Sequence, residues 1–306
     1  MTTLRPFRFA LQAVPTASRS AWHDLARQAE DLGFATLQMP DHLGLPDPFT
    51  PLVSAADVTT TLRVGTLVLN NELHNPVLLA RQAATVDLLS DGRLELGLGT
   101  GYALDEHQAM AVPLSPPGER VRRLSAAVAI VKKLLAGDAA ADDVYGVHTE
   151  SLGVTPVQRP HPPILVGGHG RRVLDLAARE AQIVQLTGLE HAADGTITPG
   201  GFQRATIEER VGWLREVAGA RFDDLELSAL VQRTVVGDAA AAEVDELAER
   251  FGFTADDLQG SPFVLLGTVD DIVEKLLGLR ERLGISYVTV READAFAPVL
   301  ARLSGT

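Results

Sequence analysis

The stretch that decides the fold is PILVGGHGRRVLDLAAREAQIVQL, at residues 163–186. Its first residues, Pro163–Val166, form a short apolar run of the length expected for a buried strand. A glycine-rich turn follows, and a helix is predicted from Arg171. A second short apolar run, Ile183–Leu186, predicts another strand. A strand, a helix and a strand in this order indicate parallel pairing through a right-handed crossover.

The same unit recurs along the chain. In its first occurrence, Ser20 is the predicted N-cap of a helix that Gly33 ends. The predicted strands are Phe7–Gln12, Thr36–Met39, Leu62–Leu69, Arg93–Leu98, Pro163–Val166, Ile183–Leu186, Leu225–Leu230 and Tyr287–Val290. The other helices are predicted at Pro76–Leu89, from about Gly118 to Ala136, from Arg171, around Trp213, at Val269–Leu283 and at Phe296–Leu303.

Eight strands separated by helices in 306 residues predict an α/β protein with a (β/α)8 TIM-barrel fold. The barrel is expected to take up residues 1–306 as one domain. An open, doubly wound sheet is the alternative, because counting strands does not show whether the sheet closes. Asp138–Asp143 and Glu190–Gly201 are rich in Ala, Asp and Gly, and they are predicted to be solvated insertions.

Composition excludes several functions. Lys and Arg number 27 against 40 Asp and Glu, a formal net charge of −13, which argues against binding to nucleic acid or to an anionic membrane surface. With no cysteine, thiol nucleophiles and thiolate metal sites are excluded. No apolar run approaches the ~20 residues of a membrane span, and Met1–Phe9 does not resemble a secretory signal. We therefore expect a soluble, cytoplasmic protein.

Candidate functional residues follow the predicted strands, because ligands of a barrel bind at the carboxyl ends of its strands. Asp41 and His42 come after the second strand, and Asn70 after the third. Thr100, Gly101 and Tyr102 come after the fourth. The fifth strand is followed by the turn at Gly167, Gly168, His169 and Gly170, and then by Arg171 and Arg172.

The turn after the fifth strand has the features of an anion site. Unpaired amides at the start of a helix, together with its dipole, attract a phosphate, and Arg171 or Arg172 can add a charge-assisted contact. The alternative is a turn that uses glycine only for positive φ, beside solvated arginines. The residues alone do not separate the two interpretations.

Other motifs carry less weight. Gly97, Gly99 and Gly101 do not have the spacing of a dinucleotide-binding fingerprint and follow the fourth strand, not the first. No serine elbow of the G-x-S-x-G type occurs. The histidines show no H-x-H or H-x-x-x-H pair, so no metal site is predicted, although a metal-dependent hydrolase using Asp41, His42 and His74 stays an alternative.

Taken together, these stretches resemble the luciferase-like superfamily of flavin and deazaflavin oxidoreductases, in particular the branch that uses coenzyme F420. The matching stretches, spread in order over nearly the whole chain, are Glu30–Phe34, Pro40–His42, Leu62–Val68, Asn75–Ala80, Ala84–Ser90, Gly92–Leu94, Leu96–Gly101, Pro160–Gly168 and Gly284–Val290. The resemblance implies a (β/α)8 barrel, in agreement with the count of strands.

The resemblance also implies roles for matching residues. In related proteins the cofactor ring lies against a non-proline cis peptide at the end of the third strand, which here falls near Leu67 and Val68. Asp41 and His42 match the pair that faces the ring and the substrate. The remaining cofactor-binding residues implied in this way are Asn70, Thr100, Gly101, Gly167, Gly168, His169, Gly170 and Arg171.

The sequence departs from the family pattern at two positions. Some deazaflavin dehydrogenases carry a glutamate where Tyr102 stands, which argues against the sugar-phosphate chemistry of those relatives. Many relatives have arginine where His74 stands. His42 is the first candidate for proton transfer, because imidazole changes protonation near neutral pH. Tyr102 is the second candidate donor, or else a wall of the substrate site.

The resulting prediction is an F420-dependent oxidoreductase that transfers a hydride between deazaflavin and a small organic substrate. The reaction is the reduction of an activated C=C or C=N bond or the oxidation of an alcohol, and the residues leave these open. An FMN-dependent luciferase-like monooxygenase is the nearest alternative, and a non-catalytic flavin carrier is another. A homodimer is expected because dimers are common among such relatives.

Overall fold

The computed structural model describes residues 4–191 and 197–306. Eight parallel strands alternate with helices and follow one another around a closed ring in chain order. They are β1 (Arg8–Gln12), β2 (Thr36–Met39), β3 (Arg63–Thr66), β4 (Leu94–Gly99), β5 (Ile164–Gly168), β6 (Ile183–Leu186), β7 (Glu226–Leu230) and β8 (Ile285–Val290). The ring closes where β8 pairs with β1 and where β3 pairs with β4. The predicted barrel is therefore confirmed, and the open sheet is excluded.

Eleven α-helices lie in the described part of the chain. They are α1 (Arg19–Leu32), α2 (Phe49–Ala56), α3 (Pro76–Leu89), α4 (Leu104–Ala109), α5 (Pro117–Ala136), α6 (Arg171–Glu180), α7 (Arg204–Ala218), α8 (Ala240–Phe251), α9 (Ala255–Gly260), α10 (Val269–Leu283) and α11 (Ala293–Leu303). None of the described helices is long and apolar enough to cross a membrane.

The strands alternate between an apolar outer face and a polar interior. In β1, Phe9 and Leu11 belong to the main apolar cluster between strands and helices, whereas Arg8 and Gln12 bond to polar groups inside the barrel. Glu95 is 2% exposed and receives hydrogen bonds from Arg8, Arg63 and Tyr287. A charged network, not only branched aliphatic side chains, thus fills the amino-terminal half of the barrel.

Two predicted features of the secondary structure are corrected. Helix α1 begins at Arg19 with Ser18 as its N-cap, not Ser20, because it is the Ser18 hydroxyl that accepts the Ala21 N–H. The predicted strand Leu62–Leu69 is interrupted: a cis peptide joins Leu67 to Val68, and pairing with β4 resumes at Leu69–Asn70. The predicted strand is therefore two segments, Arg63–Thr66 and Leu69–Asn70.

The two predicted insertions are not simply solvated loops. Within Asp138–Asp143, the strand Ala140–Asp142 pairs with Val147–Thr149, and Ala140 is buried. Within Glu190–Gly201, residues 192–196 lie outside the described part, while Gly201 is buried.

A further insertion, between β7 and α10, was not predicted. It contains the parallel strand pair Arg233–Val236 and Val264–Gly267, together with α8 and α9. Stacking of Phe202 on Phe253 and tilted packing of Phe202 on Phe263 hold it against the segment after β6. It leaves the barrel at the carboxyl end of β7, the edge at which the candidate residues lie.

Candidate active site

A cavity of about 820 Å³ opens at the carboxyl ends of the strands. This volume lies within the ~300–1,000 Å³ typical of small-molecule sites. All of the predicted site residues line it, namely Asp41, His42, Leu67, Val68, Asn70, Thr100, Gly101, Tyr102, Gly167, Gly168, His169, Gly170 and Arg171. The structure therefore brings together residues that come from four different strand ends, those of β2, β3, β4 and β5.

The floor of the cavity is the Leu67–Val68 segment with its cis peptide bond. Gln12 donates a hydrogen bond from Nε2 to the Leu67 carbonyl oxygen at 3.0 Å. A Cβ built on Gly99 would lie 2.7 Å from Val68 Cγ2, and one on Gly167 would lie 3.2 Å from Val68 Cγ1. These glycines are thus needed to seat the Val68 side chain, which in turn presents an apolar surface to the cavity.

Asp41 joins the loops after β2 and β3. Its Oδ2 accepts hydrogen bonds from the Asn70 backbone N–H and from His74 Nε2, both at 2.9 Å. His74, at the position where many relatives are expected to carry arginine, is thus the side-chain partner of this carboxylate.

Asn70 is held in turn by a buried histidine. His107 Nδ1–H donates to the Val112 carbonyl, so its Nε2 accepts from Asn70 Nδ2 at 2.9 Å. Asn70 Oδ1 accepts the Glu72 N–H, and it would lie 2.0 Å from a Cβ at position 101. Gly101, at φ +72°, is required there both by its conformation and by this side chain.

His42 and Tyr102, the two candidate catalytic residues, are hydrogen-bonded to each other. Tyr102 Oη lies 3.1 Å from His42 Nε2, and His42 Nδ1 lies 2.7 Å from Glu106 Oε1. The second oxygen of Glu106 accepts the Leu43 N–H at 3.2 Å. Burial, and then the charge of Glu106, raise the pKa of Tyr102, so the phenol stays protonated. A carboxylate, an imidazole and a phenol form one chain at the cavity wall.

Helix α6 begins at the predicted anion site. Its N-cap is Gly170, and no side chain caps it. The three glycines of the turn do not have positive φ, so conformation alone does not explain them. A Cβ at Gly168 would lie 2.6 Å from Val173 Cγ1, whereas a Cβ at Gly170 would meet no described atom within 4 Å. Gly170 is therefore the glycine that leaves open space beside the helix amides.

The side chain of Arg171 is already occupied. Its Nε bonds to Asp175 at 3.0 Å and its Nη2 to Glu216 at 2.8 Å. The predicted contact of Arg171 with a phosphate stays a prediction. Because its side chain is paired, the group at this position that can bind a phosphate is the backbone N–H at the start of α6. Beside this turn, burial and the nearby Arg210 lower the pKa of His169, which favours its neutral form.

Sequence reasoning missed three charged residues that line the cavity. Glu106 lies in a short helix after β4, and nothing local indicates its bond to His42. Arg120 is 7% exposed, bonds through Nη1 to the Gly101 carbonyl, and has an Nε without a partner among the described residues. Arg291, just after β8, bonds to Gln12 and Gln232. Of the three, only Arg291 could have been predicted from the sequence, because it comes one residue after a predicted strand.

Metal binding gains no support. Asp41 and His74 contact each other, but His42 bonds to Glu106 instead. Over the described ranges, no group of three or more His, Asp or Glu side chains could hold a metal ion.

A closed parallel barrel with a mainly apolar cavity at its strand ends, a hydrogen-bonded histidine and an uncapped helix start has the features of a small-molecule binding site. The sequence profile of the luciferase-like monooxygenase family matches residues 2–264, and the chain belongs to this family. Luciferase-like family members are oxidoreductases and monooxygenases.

Relatives and solved structures agree with this assignment. An uncharacterized protein of Mycobacterium tuberculosis is 30% identical over 226 residues, which cover 64% of this chain and 71% of the relative. The coenzyme F420-dependent tetrahydromethanopterin reductase of Methanopyrus kandleri has a TM-score of 0.76 at 18% identity, and 98% of each chain is covered.

Two further structures are similar in fold. A riboflavin lyase, solved with modified FMN and riboflavin, has a TM-score of 0.78 at 16% identity, covering 98% of this chain and 91% of that one. An F420-dependent secondary alcohol dehydrogenase, solved with an F420–acetone adduct, has a TM-score of 0.73 at 16% identity, covering 97% and 98%. At these identities the likeness shows the fold alone.

Proposed function

We propose that this protein is an F420-dependent oxidoreductase that transfers a hydride between a deazaflavin and a small organic substrate. The observation that carries the proposal is one cavity that combines an apolar floor, an uncapped helix start and a proton-transfer chain. A deazaflavin needs these three features: a flat surface for its ring, an anion site for its phosphate, and a group that handles the proton which accompanies the hydride.

The residues of the cavity fit such a cofactor. Leu67 and Val68 offer the apolar floor for the ring. The open space at Gly170 and the amides of α6 fit a phosphate. Arg172 and Arg120 also line the cavity and add positive charge near this end. Arg172 Nη1 would lie 3.2 Å from a Cβ built on Gly118, close to the start of α5. Asp41, Asn70, Thr100 and Gly101 line the wall between the floor and this end.

When bound, the deazaflavin supplies or accepts the hydride. The chain Glu106–His42–Tyr102 handles the proton. Because an ionised Glu106 only accepts hydrogen bonds, His42 carries a proton on Nδ1, and in the neutral imidazole Nε2 accepts the Tyr102 O–H. When Nε2 is also protonated, it donates to Tyr102 Oη, and the phenol proton can turn toward a substrate. The imidazolium state thus donates a proton and the neutral state takes one.

Both directions of the reaction are compatible with the hydrogen-bond chain Glu106–His42–Tyr102. Reduction of a C=C or C=N bond requires the imidazolium state, whereas oxidation of an alcohol requires the neutral state. The similarity to an F420-dependent alcohol dehydrogenase and to an F420-dependent reductase supports this range of substrates and no narrower one.

An FMN-dependent monooxygenase is the second candidate, and the similarity to a riboflavin lyase solved with modified FMN supports it. The test is to titrate the purified protein with F420 and with FMN and follow fluorescence quenching. The reduced, loaded protein is then mixed with enones, imines and ketones without oxygen. We expect tighter binding of F420 and reoxidation that depends on the acceptor.

Other outcomes assign other functions. Tighter binding of FMN, with reoxidation only in oxygen, would identify a monooxygenase. Binding of a cofactor without turnover of any acceptor would identify a carrier protein.

A further inference from the structure

We propose that the substrate of this site carries a carboxylate, and that Arg291 binds it at the end of the cavity away from the cofactor phosphate. This inference rests on the proposed function, because it assigns the other end of the cavity to a bound deazaflavin or flavin.

The first observation is the charge of the cavity. The whole chain has a formal net charge of −13. The lining of the cavity nevertheless contains four arginines, Arg120, Arg171, Arg172 and Arg291, against two acids, Asp41 and Glu106. Both acids are engaged by histidines. A locally positive cavity in an acidic protein attracts anionic ligands and focuses them into the site.

The second observation is the environment of Arg291. Its Nε contacts Gln12 Oε1 at 2.9 Å and its Nη1 contacts Gln232 Oε1 at 3.3 Å, so both partners are neutral amides. No described residue accepts a hydrogen bond from its Nη2. By contrast, Arg171 at the other end of the cavity is paired with two carboxylates. Glu292 is close enough for its charge to affect the pKa of Arg291, but burial outweighs it, so the pKa is lowered, and these two described residues form no ion pair with each other. The glutamines therefore orient a guanidinium whose charge is left for a ligand.

The third observation is the position of Arg291 relative to the reacting groups. Gln12, which accepts from Arg291, donates to the Leu67 carbonyl, so one side chain links the guanidinium to the floor of the ring site. Arg291 also lies close enough to Tyr102 for each to affect the pKa of the other. A carboxylate on Arg291 would therefore place the rest of the substrate beside Tyr102 and above Leu67–Val68.

Arg291 is separate from the phosphate site. It follows β8, whereas α6 follows β5, three strands away around the ring of eight. One phosphate at α6 cannot also satisfy Arg291, and a second anionic group is needed. The opposing interpretation is that Arg291 only clamps the ends of β1 and β7 through the two glutamines.

The test compares benzoate with benzamide, which have similar shapes and differ in charge. Protein saturated with its cofactor is titrated with each probe, and the cofactor absorbance is followed. We expect benzoate to bind at least about ten-fold more tightly than benzamide, as one charge-assisted contact would give. Arg291→Gln should abolish this preference without changing benzamide binding, and Arg291→Lys should keep part of it. Arg122→Gln, which removes an exposed arginine outside the cavity lining, is the control and should keep all of it.

Three results would overturn the proposal: equal binding of the two probes, a benzoate preference that survives Arg291→Gln, or displacement of the cofactor by benzoate. A clamp role predicts instead that Arg291→Gln lowers the melting temperature and weakens both probes equally. The cofactor titration comes first, and calorimetry repeats the comparison on cofactor-free protein. A protein that binds no cofactor but still selects benzoate through Arg291 would refute the proposed function and not this inference.

Discussion

His42 is oriented by Glu106, a carboxylate 64 positions further along the chain. This contact determines which ring nitrogen faces Tyr102, so the chemistry of the histidine depends on a residue from another strand end. Asp41, its immediate neighbour, is directed elsewhere, to His74 and the Asn70 backbone. Adjacent residues of one loop thus take different roles: one holds two loops together and the other is available for proton transfer.

The first prediction concerns His42. His42→Ala should slow the hydride half-reaction by roughly 10²–10⁴-fold, as expected for loss of a general acid or base, with a small change in cofactor affinity. Stopped-flow absorbance and a cofactor titration measure the two quantities. His148→Ala, which removes an exposed histidine outside the cavity, is the matched control and should keep the full rate.

Glu106→Gln tests the hydrogen-bond chain Glu106–His42–Tyr102 without removing the imidazole of His42. Its amide oxygen can still accept from Nδ1, but the charge that stabilises the imidazolium is lost, so we expect a rate between those of the wild type and His42→Ala. A His42→Ala variant that is fully active but melts at a lower temperature would show that His42 is structural, and the proton role would pass to Tyr102 or to solvent.

At the scale of elements, the start of α6 and the glycine turn before it are the anion site that we propose for the cofactor phosphate. The second prediction uses Gly170, whose extended conformation any residue can adopt. Gly170→Asp should cap α6 and preserve the melting temperature, but it should weaken cofactor binding at least about ten-fold, because a carboxylate would stand where the phosphate binds. Gly170→Val should weaken binding by filling the same space.

Gly168→Val is a useful contrast to these variants. Its side chain would collide with Val173, so the protein should lose stability whether or not a phosphate binds near it. Unchanged cofactor affinity in both Gly170 variants, measured by fluorescence, would show that the phosphate binds elsewhere.

Lys275 links α10 to the insertion between β7 and α10. Its Nζ donates to the carbonyls of Leu258 and Val264, both at 2.6 Å, and burial lowers its pKa to about 7. In the unfolded chain this amine keeps its ordinary pKa near 10.4. Between these two values the unfolded state binds more protons than the folded state does, so the contribution of Lys275 to stability rises with pH there.

The third prediction follows from this difference. Lys275→Met removes the titration and leaves two buried carbonyls without a donor. The stability gap between wild type and variant should therefore widen with pH above 7, by at most about 1.4 kcal/mol per pH unit. Urea unfolding of both proteins at several pH values from neutral to alkaline measures it, and other titrating groups cancel because both proteins share them. Parallel stability curves would contradict the assigned pKa.

At the scale of the whole molecule, Glu95 joins the strands across the interior of the barrel. Burial alone would raise the pKa of Glu95, but the charges of Arg8 and Arg63 outweigh it and hold the pKa below its ordinary value. Arg8 also pairs with Glu226 at the start of β7. One carboxylate therefore connects β1, β3, β4 and, through Tyr287, β8.

The fourth prediction is that Glu95→Gln lowers the free energy of unfolding at pH 7 by roughly 3–5 kcal/mol, because two arginines lose a buried partner. A lowered pKa means that the stabilisation is present above the ordinary carboxyl pKa and is lost as the pH falls through the folded value. The wild type should therefore lose stability in acid more steeply than the variant. Glu119→Gln, which removes an exposed partner of Arg122, is the control and should unfold like the wild type. Equal unfolding of the two variants would refute this role.

Much of the fold could be predicted from periodicity. Short apolar runs gave the eight strands to within a few residues, since each strand is buried on its outer face by helices. The β7–α10 insertion was missed because its strands are short and because its Phe253 and Phe263 pack on Phe202, which lies elsewhere in the chain. The break in β3 could be expected only from the resemblance, because neither Leu67 nor Val68 has a local signal for a cis bond.

The sequence by itself determined the class of fold and the position of Asp41, His42 and Tyr102 at the carboxyl ends of strands, because these depend on local pattern and on order along the chain. Only the tertiary structure decided which side chains pair across strand ends. Such contacts are the hydrogen bonds of Glu106 with His42, of Arg120 with the Gly101 carbonyl, and of Gln12 with both Arg291 and the Leu67 carbonyl. The physical reason is that ring closure and the length of each loop determine which groups come within hydrogen-bonding distance, and neither leaves a mark at a single position in the sequence.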